Sequence, residues 1–182
     1  MKERTVERLA KAIRSAQEEN VGVCLLFGAG VSKTAGIPTA GEFVQYIRDK
    51  YPENYKEAQE QAGHEAPGYA ETMATLTDGE RRRLVKKHVE EAKINWAHIG
   101  IALMEEHGIA DRFLTVNFDP LLSRACALLN RFPDVYDFAA LPQDPTGRAS
   151  FKPDFIEGSA IYHLHGQHTG FVLLNTQEKM DA

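Results

Sequence analysis

Hydrophobic and polar positions follow two different periods along this chain. A continuous apolar run over residues 21–27 ends abruptly at Gly28, which predicts a buried parallel strand. Shorter apolar runs over 113–116 and 161–165 predict two more strands, and 171–174 is a candidate fourth. These runs are too short for helices, and turn-forming residues bound them, so a sheet is the expected core.

Between the strands, apolar positions recur at helical spacing. Thr39 with Glu42 and Thr77 with Glu80 have the capping-box pattern that begins a helix, and Gly108 is placed to end one. Helices are therefore predicted over residues 2–19, 39–50, 77–92, 95–106 and 121–129, with helical pieces over 51–77. In the fourth of these we expect the face of Trp96, Ile99, Leu103 and Met104 to be core.

Alternating strands and helices predict an α/β fold: a Rossmann-like, mainly parallel sheet with helices on both faces and a small helical insertion. We expect one domain over residues 1–182, incomplete at its C-terminus, with the insertion lobe at 51–108. The 182 residues, 43% hydrophobic and 26% charged, suit a globular chain with an ordinary core.

Composition narrows the function classes. The formal net charge of −5 lacks the basic excess of a nucleic-acid binder, and no apolar run approaches a membrane span. Cys24 and Cys126 lie in apolar runs and are expected to be buried free thiols, too few for a four-cysteine zinc site. With a charged N-terminus unlike a secretory signal, the expected location is the cytoplasm, with no membrane or direct nucleic-acid partner.

Three segments that carry chemistry each follow a predicted strand: residues 28–38, 117–119 and 165–166. In open parallel sheets, ligands bind beyond the carboxyl ends of the strands, so we expect the three to converge on one crevice. Gly28 and Gly30 allow a positive φ and a close backbone approach to a phosphate. The spacing lacks the third glycine of the usual dinucleotide fingerprint, which disfavours a hydride-transferring enzyme.

Each segment also has a plainer interpretation. In the plainer interpretation the glycines form a turn without a ligand, and Asp119 only caps the helix that begins at Pro120. His165, beside a glycine at a strand end, is a candidate general base. His163 and His165 are expected on one strand face, and with His168 they leave a metallo-hydrolase open as an alternative.

Taken together, the segments Gly-Ala-Gly-x-Ser at 28–32, Gly-Ile-Pro at 36–38, Thr-x-Asn-x-Asp at 115–119 and His-Gly at 165–166 resemble the sirtuin family, in the family's order. The chain looks most like the sirtuin-like domains of bacterial antiviral defence systems. The resemblance implies NAD as substrate, Asn117, Asp119 and His165 as the catalytic residues, and His165 as general base. It also implies a set of cofactor-binding residues: Gly28, Ala29, Gly30, Ser32, Gly36, Ile37, Pro38 and Gly166.

Departures from the deacylase pattern shape the expected reaction. Thr39-Ala40-Gly41 replaces the acidic residue, Phe and Arg of the deacylases, Val116 replaces a glutamine, and there is no zinc module. Phe43 is a candidate replacement for the missing aromatic. These departures favour water as acceptor, so we expect an NAD hydrolase that depletes NAD as a defence effector.

The alternatives are an NAD-dependent protein deacylase, a non-catalytic NAD or ADP-ribose sensor and the metallo-hydrolase. A homo-oligomer, a partner subunit or a C-terminal sensor domain is expected from the resemblance.

Overall fold

A four-stranded, all-parallel sheet forms the centre of the protein. We describe it from a computed structural model, which covers residues 5–140 and 156–170. The strands are β1 Cys24–Phe27, β2 Arg112–Thr115, β3 Asp134–Asp137 and β4 Ala160–His163, in the spatial order β1-β2-β4-β3. The α/β fold with a Rossmann-like parallel sheet is therefore confirmed.

Strand register places the ends of three strands side by side. Thr115, the last residue of β2, pairs with Phe27 at the end of β1 and with His163 at the end of β4. Residues that follow these three positions therefore leave the sheet along the same edge. This edge is where a parallel sheet binds ligands.

Eight helices surround the sheet in the described part of the chain. They are α1 Val6–Glu18, α2 Ala29–Ser32, α3 Ala40–Lys50, α4 Pro52–Ala62, α5 Tyr69–Ala74, α6 Asp78–Glu91, α7 Trp96–Glu106 and α8 Leu121–Leu128. Short 3-10 turns span Lys33–Ala35 and Phe138–Ala140. Both predicted capping boxes form, since Glu42 and Glu80 accept backbone N–H groups of Thr39 and Thr77 at 2.8 Å.

Of the four apolar clusters in the described residues, the two larger ones join several of these elements. Helices α7 and α8 pack on one face of the sheet, where Phe113, Ile161 and Cys126 are almost fully buried. Helices α3, α5 and α6 enclose the other cluster, around Ile47 and Met73. Burying each large apolar side chain contributes roughly 1.5–3 kcal/mol, so each cluster can fix the helices it joins.

The predicted core face of α7 is wrong in part. Trp96 is 87% exposed and Leu103 is 38% exposed, whereas the buried side chains are His98, Ala102 and Glu105. The helix is therefore rotated about its axis relative to the hydrophobic pattern. Two polar residues occupy its buried face because each finds hydrogen-bond partners there.

Glu105 shows how such burial is compensated. Arg131 donates two hydrogen bonds of 3.0 Å to its carboxylate, and the Ser159 hydroxyl donates a third of 2.6 Å. Burial alone raises the pKa of Glu105, but these hydrogen bonds and the Arg131 charge outweigh it and lower the pKa. The carboxylate thus ties the end of α7 to the residues after α8 and before β4.

The strands themselves differ from the predictions in length and number. The predicted strand at 161–165 ends at His163, so His165 lies in the turn beyond β4. Strand β3 was not predicted, because its Asp-Val-Tyr-Asp sequence offers only two apolar residues between two carboxylates. The candidate strand at 171–174 lies outside the described residues.

Strand β1 is not the buried strand that was predicted, because one of its faces is only partly buried and the other is exposed. Leu25 and Phe27 pack into the cluster with α7 and α8, whereas Cys24 is exposed and Leu26 is 69% exposed. Burial of Cys24 was therefore a wrong prediction, since alternate residues of an edge strand point to opposite faces. The predicted first helix forms as α1, and its apolar residue Val6 is exposed.

Candidate functional site

A cavity of about 210 Å³ lies at the carboxyl edge of the sheet. Residues from α2, α3, α5, α6 and the loops after β2 and β4 line it. They are Ala29, Ile37, Pro38, Ala40, Phe43, Tyr69, Val85, Val89, Val116, Asn117, Phe118, Asp119 and His165. The structure therefore brings the three sequence segments together at one cavity.

The glycine turn is built differently from the expectation. Gly28 has φ −136°, and Gly30 lies within α2, so neither uses a positive φ. A Cβ on Gly28 would instead make a tight contact, 3.1 Å from Val116 Cγ2, which Val116 relieves only by moving a few tenths of an ångström. Within the three segments, the left-handed positions are Gly36, with φ 99°, and Gly166, with φ 91°, each next in the chain to a residue that lines the cavity.

The predicted cofactor-binding residues divide into two groups. Ala29, Ile37 and Pro38 line the cavity, and a Cβ placed on Gly30 would meet no described atom within 4 Å outside its chain neighbours and the backbone of its own helix. The remaining predicted residues lie close in the sequence to lining residues but do not line the cavity themselves. They are Gly28, Gly30, Ser32, Gly36 and Gly166. Their contribution is therefore to backbone shape and support.

Asn117 is held with its amide group in a fixed orientation. It follows β2 by two residues and is 8% exposed. Its Nδ2 donates to the Gly28 carbonyl at 3.2 Å and to Ser32 Oγ at 3.0 Å. Both amide hydrogens are thus used, and no donor among the described residues is paired with Oδ1. The side chain therefore keeps one acceptor for a bound molecule.

Asp119 both caps a helix and lines the cavity. Its Oδ1 accepts the Leu121 N–H at 3.0 Å, as the capping interpretation predicts. Its Oδ2 accepts the Ser32 hydroxyl at 2.8 Å. A carboxylate has about four acceptor positions, so lone pairs remain for a donor in the cavity. Among the lining residues, Asp119 is the only Asp, Glu, Lys or Arg.

His165 lies half-buried at the cavity, two residues beyond β4. Burial lowers its pKa, and the shift has no hydrogen-bond contribution. The imidazole is therefore neutral at neutral pH, with a lone pair able to accept a proton. Its proximity to Ala29, Asn117 and Asp119 makes it the strongest base candidate of the site.

The neighbouring histidines have other partners. His163 is buried, and its Nδ1 donates to the Asn117 carbonyl at 2.8 Å, while His168 Nδ1 lies 3.2 Å from the Phe118 carbonyl. His163 and His165 do not share a strand face. Over residues 5–140 and 156–170, no three His, Cys, Asp or Glu side chains form a group that could hold a metal ion.

Beneath the cavity lies a set of hydrogen-bonded side chains that we call the Ser32 network: Ser32, His98, Asn117 and Asp119. Ser32 is fully buried at the end of α2, and His98, on α7, is 1% exposed. The His98 Nε2 lies 3.3 Å from Ser32 Oγ. Ser32 therefore supports the two polar side chains of the cavity from below.

Sequence reasoning missed His98 and most of the apolar wall. Phe43, raised only as a candidate, lines the cavity with Tyr69 and Val85. Burial raises the pKa of Tyr69 well above its ordinary value, so its hydroxyl stays protonated. Helical spacing identifies these residues as apolar-facing, but spacing alone does not separate a cavity wall from a closed core.

The fold and the site together define an α/β protein with a mostly apolar cavity at the sheet edge and one carboxylate, one amide and one imidazole directed at it. No protein-family model matches this chain, and no curated protein matches its sequence. None of the helices described is both long and apolar enough to cross a membrane.

Proposed function

We propose that this chain binds NAD and hydrolyses the bond between nicotinamide and ribose, releasing nicotinamide and ADP-ribose. The observation that supports the proposal is that Asn117, Asp119 and His165 line the same cavity as Ala29 of the glycine turn. These are the residues whose order along the chain resembles the sirtuins. Loss of cellular NAD is the expected consequence in a defence setting.

The size and polarity of the cavity suit one ring of the dinucleotide. An apolar cavity of about 150 Å³ accommodates benzene, so about 210 Å³ accommodates a six-membered ring with a carboxamide. The nicotinamide ring of NAD is a cation, and Asp119 is the only formal charge on the lining. An apolar wall with a single carboxylate and no cationic side chain favours such a ring.

The reaction follows from the groups at the site. A water molecule attacks the ribose carbon, the bond from this carbon to the nicotinamide nitrogen breaks, and its electron pair neutralises the ring. His165 accepts the proton lost by the water, which its neutral imidazole allows. The free Oδ1 of Asn117 accepts from the attacking water or a ribose hydroxyl and orients it. Asp119 accepts from the carboxamide.

Nicotinamide release from NAD by the purified chain is the direct test. We expect His165→Ala to lower kcat by about 10²–10⁴-fold, the usual contribution of a general base. Asn117→Ala should cost about 10²-fold through lost orientation. His107→Ala is the matched control, since His107 is exposed after α7 and does not line the cavity, and it should keep full activity.

Four results would contradict the proposal or part of it in different ways. Turnover of an acylated peptide without net NAD hydrolysis would favour a deacylase, and NAD binding without any product would favour a sensor. Activity that follows an added metal ion and ignores NAD would favour the metallo-hydrolase. Full activity in His165→Ala would remove His165 from the mechanism.

A further inference from the structure

Two residues of the Ser32 network, Ser32 and His98, are not used directly by the proposed reaction. His98 does not line the cavity and lies on α7, which packs against α2. Its side chain is 1% exposed. Burying an imidazole without hydrogen-bond partners costs free energy. The contact between His98 and Ser32 therefore needs an explanation other than packing alone.

Hydrogen-bond chemistry fixes the direction of every bond in this network. The Asn117 Nδ2 only donates and the Asp119 carboxylate only accepts. The single hydrogen of the Ser32 hydroxyl therefore points to Asp119, and its two lone pairs face Asn117 and His98. It follows that His98 Nε2 carries a hydrogen and donates it to Ser32.

The other ring nitrogen of His98 agrees with this tautomer. The backbone N–H of Asn95, the residue that caps α7, points at His98 Nδ1 across 3.5 Å. A backbone N–H only donates, so Nδ1 is an acceptor and the hydrogen is on Nε2. The opposite tautomer would turn Nε2 into an acceptor that competes with Asp119 for the hydrogen of Ser32.

We propose that His98 is a positioning residue: by donating to Ser32 it directs the serine hydroxyl at Asp119 and keeps the amide of Asn117 turned with Oδ1 toward the cavity. The inference rests on the proposed function for its kinetic consequence. It assigns no contact between His98 and substrate. Its effect on the reaction therefore passes through Ser32 and should appear in kcat more than in KM.

Amide side chains give a sharp test of which ring nitrogen matters. The amide nitrogen of glutamine reaches about as far as Nε2, whereas that of asparagine reaches only as far as Nδ1. We expect His98→Leu and His98→Asn each to lower kcat for NAD hydrolysis by about tenfold or more, with KM changed by less than about threefold. His98→Gln should stay within about threefold of the wild type.

His107→Leu is the matched control and should leave kcat unchanged, because His107 is exposed and outside the cavity lining. Equal losses in the Gln and Leu variants would show that His98 acts only as a packing residue. Unchanged kcat in all three His98 variants would also overturn the inference.

A second measurement is independent of turnover. Long-range ¹H–¹⁵N spectra of the ¹⁵N-histidine-labelled wild type should show the hydrogen of His98 on Nε2, and a hydrogen on Nδ1 would overturn the inference without any variant. If the wild type releases no nicotinamide, the proposed function fails. The inference is then judged on the Asn117 side-chain amide resonances, which should shift in His98→Leu and return in His98→Gln.

Discussion

Replacing Ser32 by alanine should destabilise the whole protein, because this fully buried hydroxyl contacts three side chains. In the variant Asn117 Nδ2 keeps its bond to the Gly28 carbonyl but loses the one to Ser32, and Asp119 Oδ2 and His98 Nε2 each lose a partner. A buried polar group left unsatisfied costs about 1–3 kcal/mol, and more when it is charged. We therefore expect the free energy of unfolding to fall by about 3 kcal/mol.

Urea unfolding followed by far-ultraviolet circular dichroism measures this loss. An unchanged slope of the free energy of unfolding against urea concentration would show that the variant and the wild type unfold from similar native states. Ser123→Ala is the matched control. Ser123 is half-buried on α8 and has no side-chain hydrogen bond among the described residues, so its variant should stay within about 0.5 kcal/mol of the wild type. A loss below about 1 kcal/mol in Ser32→Ala would refute the reasoning.

Three other properties can be measured on the same preparations. Burial lowers the pKa values of His98 and His163, so the unfolded chain binds more protons than the folded one below pH 6.5. The free energy of unfolding should therefore decrease as the pH is lowered below 6.5, by up to about 1.4 kcal/mol per pH unit for each histidine. A urea midpoint that stays constant from pH 8 to 5 would contradict this. His88 has a buried Nε2 without a partner in the described structure, so His88→Phe should raise the free energy of unfolding by about 1 kcal/mol, and a lower melting temperature would count against that account. Cys24 is exposed, whereas Cys126 is buried with its pKa raised to about 11, so a thiol reagent at pH 8 should modify one cysteine in the native protein and two after unfolding.

Much of the fold was predictable because it depends on short-range patterns. The apolar runs before Gly28 and before Asn117 located β1 and β2, and the capping boxes at Thr39 and Thr77 located two helix starts. The rule that parallel strands present their carboxyl ends at one edge then brought His165 to the same cavity. These inferences need only local sequence and the handedness of the fold.

What the sequence did not reveal depends on contacts between distant segments. His98 lies 66 residues from Ser32, and nothing in the spacing around it indicates a buried partner. Trp96 was predicted to be a core residue for the same reason. The sequence pattern does not show that His98 and Glu105 find hydrogen-bond partners on the buried face of α7, and their burial leaves Trp96 at the surface. Polar residues with long-range partners thus set the rotation of α7 against its own hydrophobic pattern.

The glycines illustrate a different limit. Their presence after β1 suggested unusual torsion angles, yet Gly28 has an ordinary extended backbone and is restricted by the side chain of Val116. Sequence alone does not distinguish a glycine needed for its torsion from one needed for its small size. The torsional requirement falls on Gly36 and Gly166 instead.

The steric contact between positions 28 and 116 has an evolutionary consequence. Valine is β-branched and has few rotamers, so it cannot easily swing away from a methyl group added at 28. Alanine at position 28 should therefore be tolerated more readily in descendants of this chain where residue 116 is smaller than valine. Because Val116 lines the cavity, such a paired change would also alter the shape of the cavity.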